Sequence, residues 1–337
     1  MSERGREKVS AVVGSAVNRA ESSYVGVKTL VLGASGFIGR WVARALSEAG
    51  AHVVCAVRDL DAMGALAARY GITGDIVAAD LTDSAALDAL FAAQRPSIAF
   101  NLAGYGIDRS ERDDALARQI NSEVPGQLAL VCARYANPSW RALRLVHAGS
   151  ALEYGEIGGH LPEDAVPVPT TLYGRTKLAG TQRLLDAELP GMAAARLFTV
   201  YGPGEHPGRL LPTLLDSRRS GAPVPLSAGT QRRDFTYVAD VAEGLLALGL
   251  QSSVRGGVVN LATGKLYSVR EFAETAARVL AIPAERLHFG AVAQRSDEMP
   301  HDTVSIDRLR ESIAWVPATD VAEGVRRAVR FLETASA

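Results

Sequence analysis

At 337 residues, with 47% hydrophobic and 22% charged content, the chain can bury a sizeable core and exceeds what one small domain needs. Its 36 basic and 37 acidic residues leave a formal charge of −1, so no overall field draws it to nucleic acid or to an anionic membrane. Any phosphate it binds must therefore be met by local groups. Cys55 and Cys132 stand far apart with no CxxC spacing and no His cluster, which argues against a zinc site or a disulfide scaffold and predicts reduced, inert thiols.

The first 26 residues carry Arg4, Arg6, Lys8 and Arg19 among Ser, Gly and Ala and lack the long apolar core of a signal peptide. They read as a leader, disordered or wrongly started. No apolar run reaches the ~18 residues of a membrane span, so a cytoplasmic, soluble enzyme is expected.

From Val27 a short apolar run with β-branched residues ends at Gly33, as a buried parallel strand does. The helix that follows places Ile38, Val42, Ala45 and Leu46 on one face and stops at Gly50. The unit then repeats: strands at His52–Val57, Ile76–Ala79, Ser97–Leu102 and Arg144–Ala148 alternate with helices at Asp59–Tyr70, Ser84–Ala93 and a long one at Ala115–Tyr135. This rhythm implies right-handed βαβ crossovers and an α/β fold, a Rossmann-type doubly wound parallel sheet. After Arg196 it breaks into Pro- and Gly-rich stretches, 202–208 and 221–229, where a smaller C-terminal lobe begins. Val258–Leu261 reads as a strand returning to the main sheet, and Val269–Leu280 and Val321–Leu332 as amphipathic helices of that lobe. The expected division is 27–198 plus 236–265 for the dinucleotide domain and 199–235 plus 266–337 for the substrate lobe.

Gly33-Ala-Ser35-Gly36-Phe37-Ile38-Gly39 lies between the first strand and the first helix. Gly33 makes the tight turn, Gly36 lets backbone approach a pyrophosphate, and Gly39 lets helix and strand pack closely; the helix N-terminus offers N–H groups to phosphate. At the end of the second strand an NAD enzyme usually carries an acid for the ribose 2′-hydroxyl. Here that position is Val57, followed by Arg58, whose guanidinium can clamp a 2′-phosphate. NADP(H) is favoured. The alternative is that Arg58 is a solvated loop cation and Asp59 serves NAD(H). Asp80, followed by Leu81, either bonds the adenine amine or caps the next helix. Asn101-Leu102-Ala103-Gly104 puts small residues where backbone runs beside the cofactor.

Tyr173-Gly-Arg-Thr-Lys177 places a phenol and an ammonium one helical turn apart, so the cation should lower the phenol pKa and let Tyr173 pass a proton, while Lys177 also holds the nicotinamide ribose. The fifth strand runs into Gly149-Ser150, whose hydroxyl can polarise a carbonyl in the same crevice. Asn121 either steadies a proton-relaying water or packs helices.

These motifs, with Ser150-Ala-Leu-Glu-Tyr154-Gly155, Arg196-Leu-Phe-Thr-Val-Tyr201-Gly-Pro203 and Arg233-Asp-Phe-Thr-Tyr-Val-Ala-Asp240, resemble in their order the signatures of the extended short-chain dehydrogenase/reductases, the NAD-dependent epimerase/dehydratase family, over roughly 27–332. The resemblance implies a C-terminal lobe that binds a nucleoside diphosphate sugar and a Ser/Tyr/Lys site between the lobes. It implies that Tyr201–Pro203 touches the nicotinamide amide, and that Tyr105, Ser150, Ala151, Thr199, Arg233 and Arg295 meet the substrate, the two arginines at its diphosphate. It also implies a homodimer through the Ala115–Tyr135 and Tyr173–Glu188 helices.

Two departures narrow the reaction. The sugar 4,6-dehydratases carry an acidic pair after the active-site hydroxyl residue; here those positions are Ala151 and Leu152, and Glu153 follows where a strand-like segment would turn it to the other side. Thr199 stands where the family often has a diphosphate-binding Asn. The reading is therefore an NADPH-dependent 4-ketoreductase of a nucleotide-linked sugar, with an NAD-dependent 4-epimerase as the alternative. A dinucleotide-sensing binding protein without chemistry is the remote one.

Overall fold

The computed structural model describes residues 23–106, 111–294 and 301–334. A first βαβ series runs through β1 (Lys28–Leu32), α1 (Phe37–Glu48), β2 (His52–Val57), α2 (Leu60–Tyr70), β3 (Asp75–Ala78), α3 (Ser84–Gln94) and β4 (Ile98–Asn101). A second follows: α4 (Asp114–Arg118), a π turn (Gln119–Glu123), α5 (Val124–Arg134), β5 (Leu145–Ser150), a 3-10 turn (Ala151–Glu153), β6 (His160–Leu161), α6 (Leu172–Asp186) and β7 (Met192–Leu197). The remainder comprises β8 (Thr199–Tyr201), α7 (Leu210–Ser220), β9 (Val224–Leu226), β10 (Arg232–Tyr237), α8 (Val238–Gly249), β11 (Val258–Leu261), β12 (Leu266–Ser268), α9 (Val269–Leu280), β13 (Leu287–Phe289), β14 (Thr303–Val304), α10 (Asp307–Ile313) and α11 (Val321–Thr334).

Seven strands form one parallel sheet in the order β3-β2-β1-β4-β5-β7-β11. The order in which successive strands are added reverses between β1 and β4, where Leu32 pairs with Ala56 on one side and Asn101 on the other. The carboxyl ends of strands at such a switch point open a crevice. The sheet is covered on both faces, which explains its near-continuous apolar strands. Val31 of β1 joins a core with Val42, Leu46 and Leu245 on one face, while Leu30 and Leu32 join Leu128 and Leu184 on the other. Strand β11 pairs with β7, the return foreseen for residues 258–261. Outside this sheet, β12-β10-β8, β13-β9 and β14-β6 form small sheets. Among the described residues no helix is long and apolar enough to cross a membrane.

Two expectations need correction. Residues 23–26, assigned from sequence to the leader, belong to the body: Tyr24 is fully buried, donates to the Leu246 carbonyl oxygen at 2.8 Å and packs against Phe100 and Trp140. The leader expectation for residues 1–22 lies outside the described residues. The long helix expected over 115–135 is interrupted by the π turn at Gln119–Glu123 before Pro125, which has no N–H to continue the helical ladder, near the start of α5. Gly180 of α6 packs against this turn so closely that a Cβ there would lie 1.9 Å from the Asn121 carbonyl oxygen.

Candidate active site

A cleft of about 870 Å³ runs along the carboxyl ends of the sheet, and the glycine loop forms its floor. Gly33 adopts φ +76°, and a Cβ there would sit 2.8 Å from Ala103 N; a Cβ on Gly39 would sit 2.1 Å from the Gly33 carbonyl oxygen. Gly36 caps α1 with no side chain competing for its first N–H groups, and Ser35, Phe37 and Ile38 line the cleft beside it. Gly39 packs beneath. The bare, donor-rich turn fits a pyrophosphate.

Arg58, Asp80, Leu81, Leu102, Ala103 and Gly104 all line the same cleft. Asp59 is committed elsewhere: it accepts from Ala62 N at 2.9 Å and caps α2. Asp80 accepts from Thr82 N at 2.9 Å and Thr82 Oγ1 at 2.7 Å. These hydrogen bonds, with Arg58 nearby, hold its carboxyl below the usual range. Asp83, not Asp80, caps α3.

At the other end Ser150, Tyr173 and Lys177 converge on the cleft wall. Ser150 Oγ accepts from Leu152 N at 3.2 Å, which leaves its proton to donate, and its hydrogen bond with Tyr173 pulls the phenol pKa down. That effect is outweighed. Burial, then the Glu153 and Glu111 carboxylates, push the Tyr173 phenol well above its ordinary value, against the lowering expected from Lys177. A buried phenolate loses hydration that one neighbouring cation does not restore. Lys177 is itself weakened, to about 8, by burial, with Glu153 acting in the opposite direction. Asn121 does not line the cleft. Its side chain clamps Tyr105 from behind, accepting from Tyr105 N at 3.0 Å and donating to Tyr105 O at 2.7 Å and Thr176 Oγ1 at 3.0 Å.

A second cavity of about 480 Å³ adjoins Ser150 and Tyr173 and is lined by Tyr105, Ala151, Thr199 and Arg233. Arg295 lies outside the described residues. Two residues that sequence reading missed also line both cavities: Arg209, just before α7, and Glu111, which accepts from Gly106 N at 2.8 Å. Arg209 lowers and Glu111 raises the Tyr173 pKa, so both charges reach the phenol. Neither sits in a motif with chemical spacing; only loop geometry brings them there. Among the described residues no group of three or more His, Cys, Asp or Glu is placed to hold a metal ion.

Residues 29–262 match the model of the NAD dependent epimerase/dehydratase family. The chain belongs to this family. The protein is 30% identical over 314 residues to the dTDP-6-deoxy-L-talose 4-dehydrogenase (NAD(P)(+)) of Kitasatospora kifunensis, covering 89% of this chain and 93% of that one. It is 28% identical to the UDP-glucose 4-epimerase of Mycolicibacterium smegmatis (strain ATCC 700084 / mc(2)155), covering 92% and 100%. The structure of MoeE5 in complex with UDP-glucose and NAD superposes with a TM-score of 0.74 at 28% identity, covering 92% of this chain and 100% of that one. As a family, these enzymes modify nucleotide-linked sugars with a nicotinamide cofactor.

Within this epimerase/dehydratase fold the signature 233–240 is largely scaffolding. Asp234 accepts from Thr263 N (3.0 Å), Thr263 Oγ1 (2.9 Å) and Gly264 N (2.8 Å), which anchors β10 and with it Arg233. Asp240 accepts from Ala318 N and Thr319 N, at 3.0 and 2.9 Å, and ties α8 to the approach of α11. Tyr201 lines the cleft, but its hydroxyl donates away from it to Asp320 O at 3.3 Å. The following turn is pinned by Trp41 Nε1 to Pro203 O at 2.9 Å.

Proposed function

We propose that the protein reduces the 4-keto group of a nucleotide-linked (deoxy)sugar with NADPH. The observation that carries this reading is the pairing of the cleft's two ends: a guanidinium, Arg58, with Asp59 tied into a helix cap at one, and Ser150, Tyr173 and Lys177 at the other. A relative named as a C4 dehydrogenase of a dTDP-deoxysugar using NAD(P)(+) supports the same position on the sugar.

In this reading residues 27–198 and 236–265 hold the dinucleotide, and 199–235 and 266–337 hold the sugar nucleotide. Gly33, Ser35, Gly36, Phe37, Ile38 and Gly39 receive the pyrophosphate, Arg58 the 2′-phosphate, Asp80 and Leu81 the adenosine side, and Leu102, Ala103, Gly104 and Tyr201 the nicotinamide half. Tyr105, Ala151, Thr199, Arg209 and Arg233 face the sugar nucleotide. When bound, NADPH supplies the hydride that reaches C4. Ser150 donates a hydrogen bond to the carbonyl oxygen, Tyr173 gives that oxygen its phenolic proton, and the Lys177 ammonium stabilises the phenolate left behind until solvent reprotonates it. The upward shift keeps the Tyr173 phenol protonated, and the Lys177 ammonium offsets the cost of the phenolate that proton transfer leaves.

The second reading, a 4-epimerase holding NAD, is favoured by the likeness to the UDP-glucose 4-epimerase and to MoeE5, which is bound to UDP-glucose and NAD. The test incubates the protein with NADPH or NADH and a dTDP-linked 4-keto-6-deoxyhexose, and separately with UDP-glucose alone. Loss of nicotinamide absorbance, faster with NADPH, supports the reductase. Interconversion of UDP-glucose and UDP-galactose with no added cofactor overturns it for the epimerase. A homodimer through α5 and α6 accords with Leu130 of α5, which is 58% exposed; light scattering at monomer mass overturns that assignment.

A further inference from the structure

Glu153 sits behind the reacting groups with no exposure to solvent. Because residues 151–153 form a 3-10 turn and not a strand, its side chain folds back under the end of β5. Oε1 accepts from Ser150 N at 2.8 Å and from Thr181 Oγ1 of α6 at 3.1 Å, and Oε2 accepts from Arg196 Nε of β7 at 2.9 Å. The carboxylate thereby joins the serine's turn to the helix that carries Tyr173 and Lys177. Space is made for it by Gly149, where a Cβ would lie 2.7 Å from Oε1. Arg196 in turn stacks over Tyr154, 4.4 Å from the ring centroid, and donates to Glu163 O at 3.1 Å.

We propose that Glu153 is the positioning residue of this active site: its carboxylate holds the Ser150 turn against α6 and supplies the buried countercharge for the Tyr173 and Lys177 pair. This rests on the reading of Ser150, Tyr173 and Lys177 as catalytic. The charged and titratable groups facing the assembly are Arg196 from β7, Tyr173 and Lys177 from α6, His147 from β5, Tyr154, Glu163 with its partner Arg308 of α10, and Glu111 and Arg209 from the cleft wall. Of these, Glu153 is the charge that opposes burial at Lys177, and it is the stronger of the two carboxylates acting on Tyr173. Without it the ammonium would deprotonate nearer neutrality, and the phenol would hold its proton less tightly. Both changes move the useful pH range downward.

Glu153→Gln keeps an amide oxygen for Ser150 N but strands the buried Arg196, so the decisive variant is Glu153→Gln with Arg196→Gln, its fold checked by circular dichroism. The chain has four lysines, Lys8, Lys28, Lys177 and Lys265. Trace acetylation with acetic anhydride across pH, read lysine by lysine by mass spectrometry, therefore isolates Lys177 without any substrate. In the wild type the midpoint for Lys177 is expected at about 8. In the folded double variant it moves down toward neutrality, raising reactive amine at pH 7 by about fivefold, with Lys28 and Lys265 unchanged. With NADPH and a dTDP-linked 4-keto-6-deoxyhexose, the alkaline limb of turnover moves the same way, and kcat falls more than KM. A Lys177 midpoint that stays in place in the folded double variant overturns the proposal. Tyr173→Phe separates the two readings: turnover that survives it sinks the catalytic assignment, whereas turnover lost there with an unmoved Lys177 midpoint sinks only the role of Glu153.

Discussion

Replacing Arg58 by alanine tests the choice of cofactor directly. The side chain lies at the exposed end of β2, lines the dinucleotide cleft and neighbours the Asp80 carboxylate. A hydrogen bond to a charged group contributes about 1.5–3 kcal/mol, and exposure to water puts Arg58 in the lower part of that range, at about 1.5–2 kcal/mol. Its loss should weaken NADPH by about 10–30-fold in Kd. The same substitution leaves Asp80 facing the 2′-phosphate without its neighbouring cation, which adds to the loss. NADH has no 2′-phosphate, so its Kd should change by less than about twofold, which is under half a kcal/mol. Titrating both nucleotides by their bound fluorescence, in wild type and variant, gives the ratio. Equal weakening of the two cofactors, or no weakening of NADPH, would refute the reasoning that Arg58 selects the phosphate.

Other outcomes follow from burial and contact. Lys177 is charged below about pH 8 and neutral above it, so turnover should hold on the acid side of that value and decline as pH rises through it; a plateau extending well into alkaline pH would count against its role. Tyr24→Ala removes a fully buried ring and its 2.8 Å bond to Leu246 O, and should cost about 3–5 kcal/mol in urea unfolding. Asn121→Ala frees the Tyr105 N–H and carbonyl from their clamp, and should raise KM for the sugar nucleotide while cofactor Kd stays within about twofold; an unchanged KM speaks against the clamp. Gly180→Ala drives a methyl into the Asn121 carbonyl oxygen 1.9 Å away and should lower the melting temperature, measurable by calorimetry.

Much of this molecule is local in origin and hence readable along the chain. The βαβ rhythm is written in apolar runs of strand length, and the expected strands fall within one or two residues of those observed because turn-forming residues such as Gly33, Gly50, Asp75, Asp80, Pro96 and Gly149 lie at or near their ends. The spacing of Gly33, Gly36 and Gly39 follows from backbone crowding within one turn, and Tyr173 and Lys177 share a helix face by periodicity alone. Other features depend on contacts far apart in sequence. Tyr24 is tied to Leu246 across 222 residues, so composition alone assigned it to a leader. The π turn at 119–123 is seated against Gly180, on another helix. Arg209 and Glu111 reach Tyr173 only through the folding of loops, and the direction of the Tyr173 shift follows from burial and two carboxylates that helical spacing does not contain. Glu153 belongs to both: its place one residue beyond Ala151-Leu152 is sequence, but the 3-10 turn that swings it under Ser150, and the Arg196 and Thr181 that receive it, exist only in the packed structure.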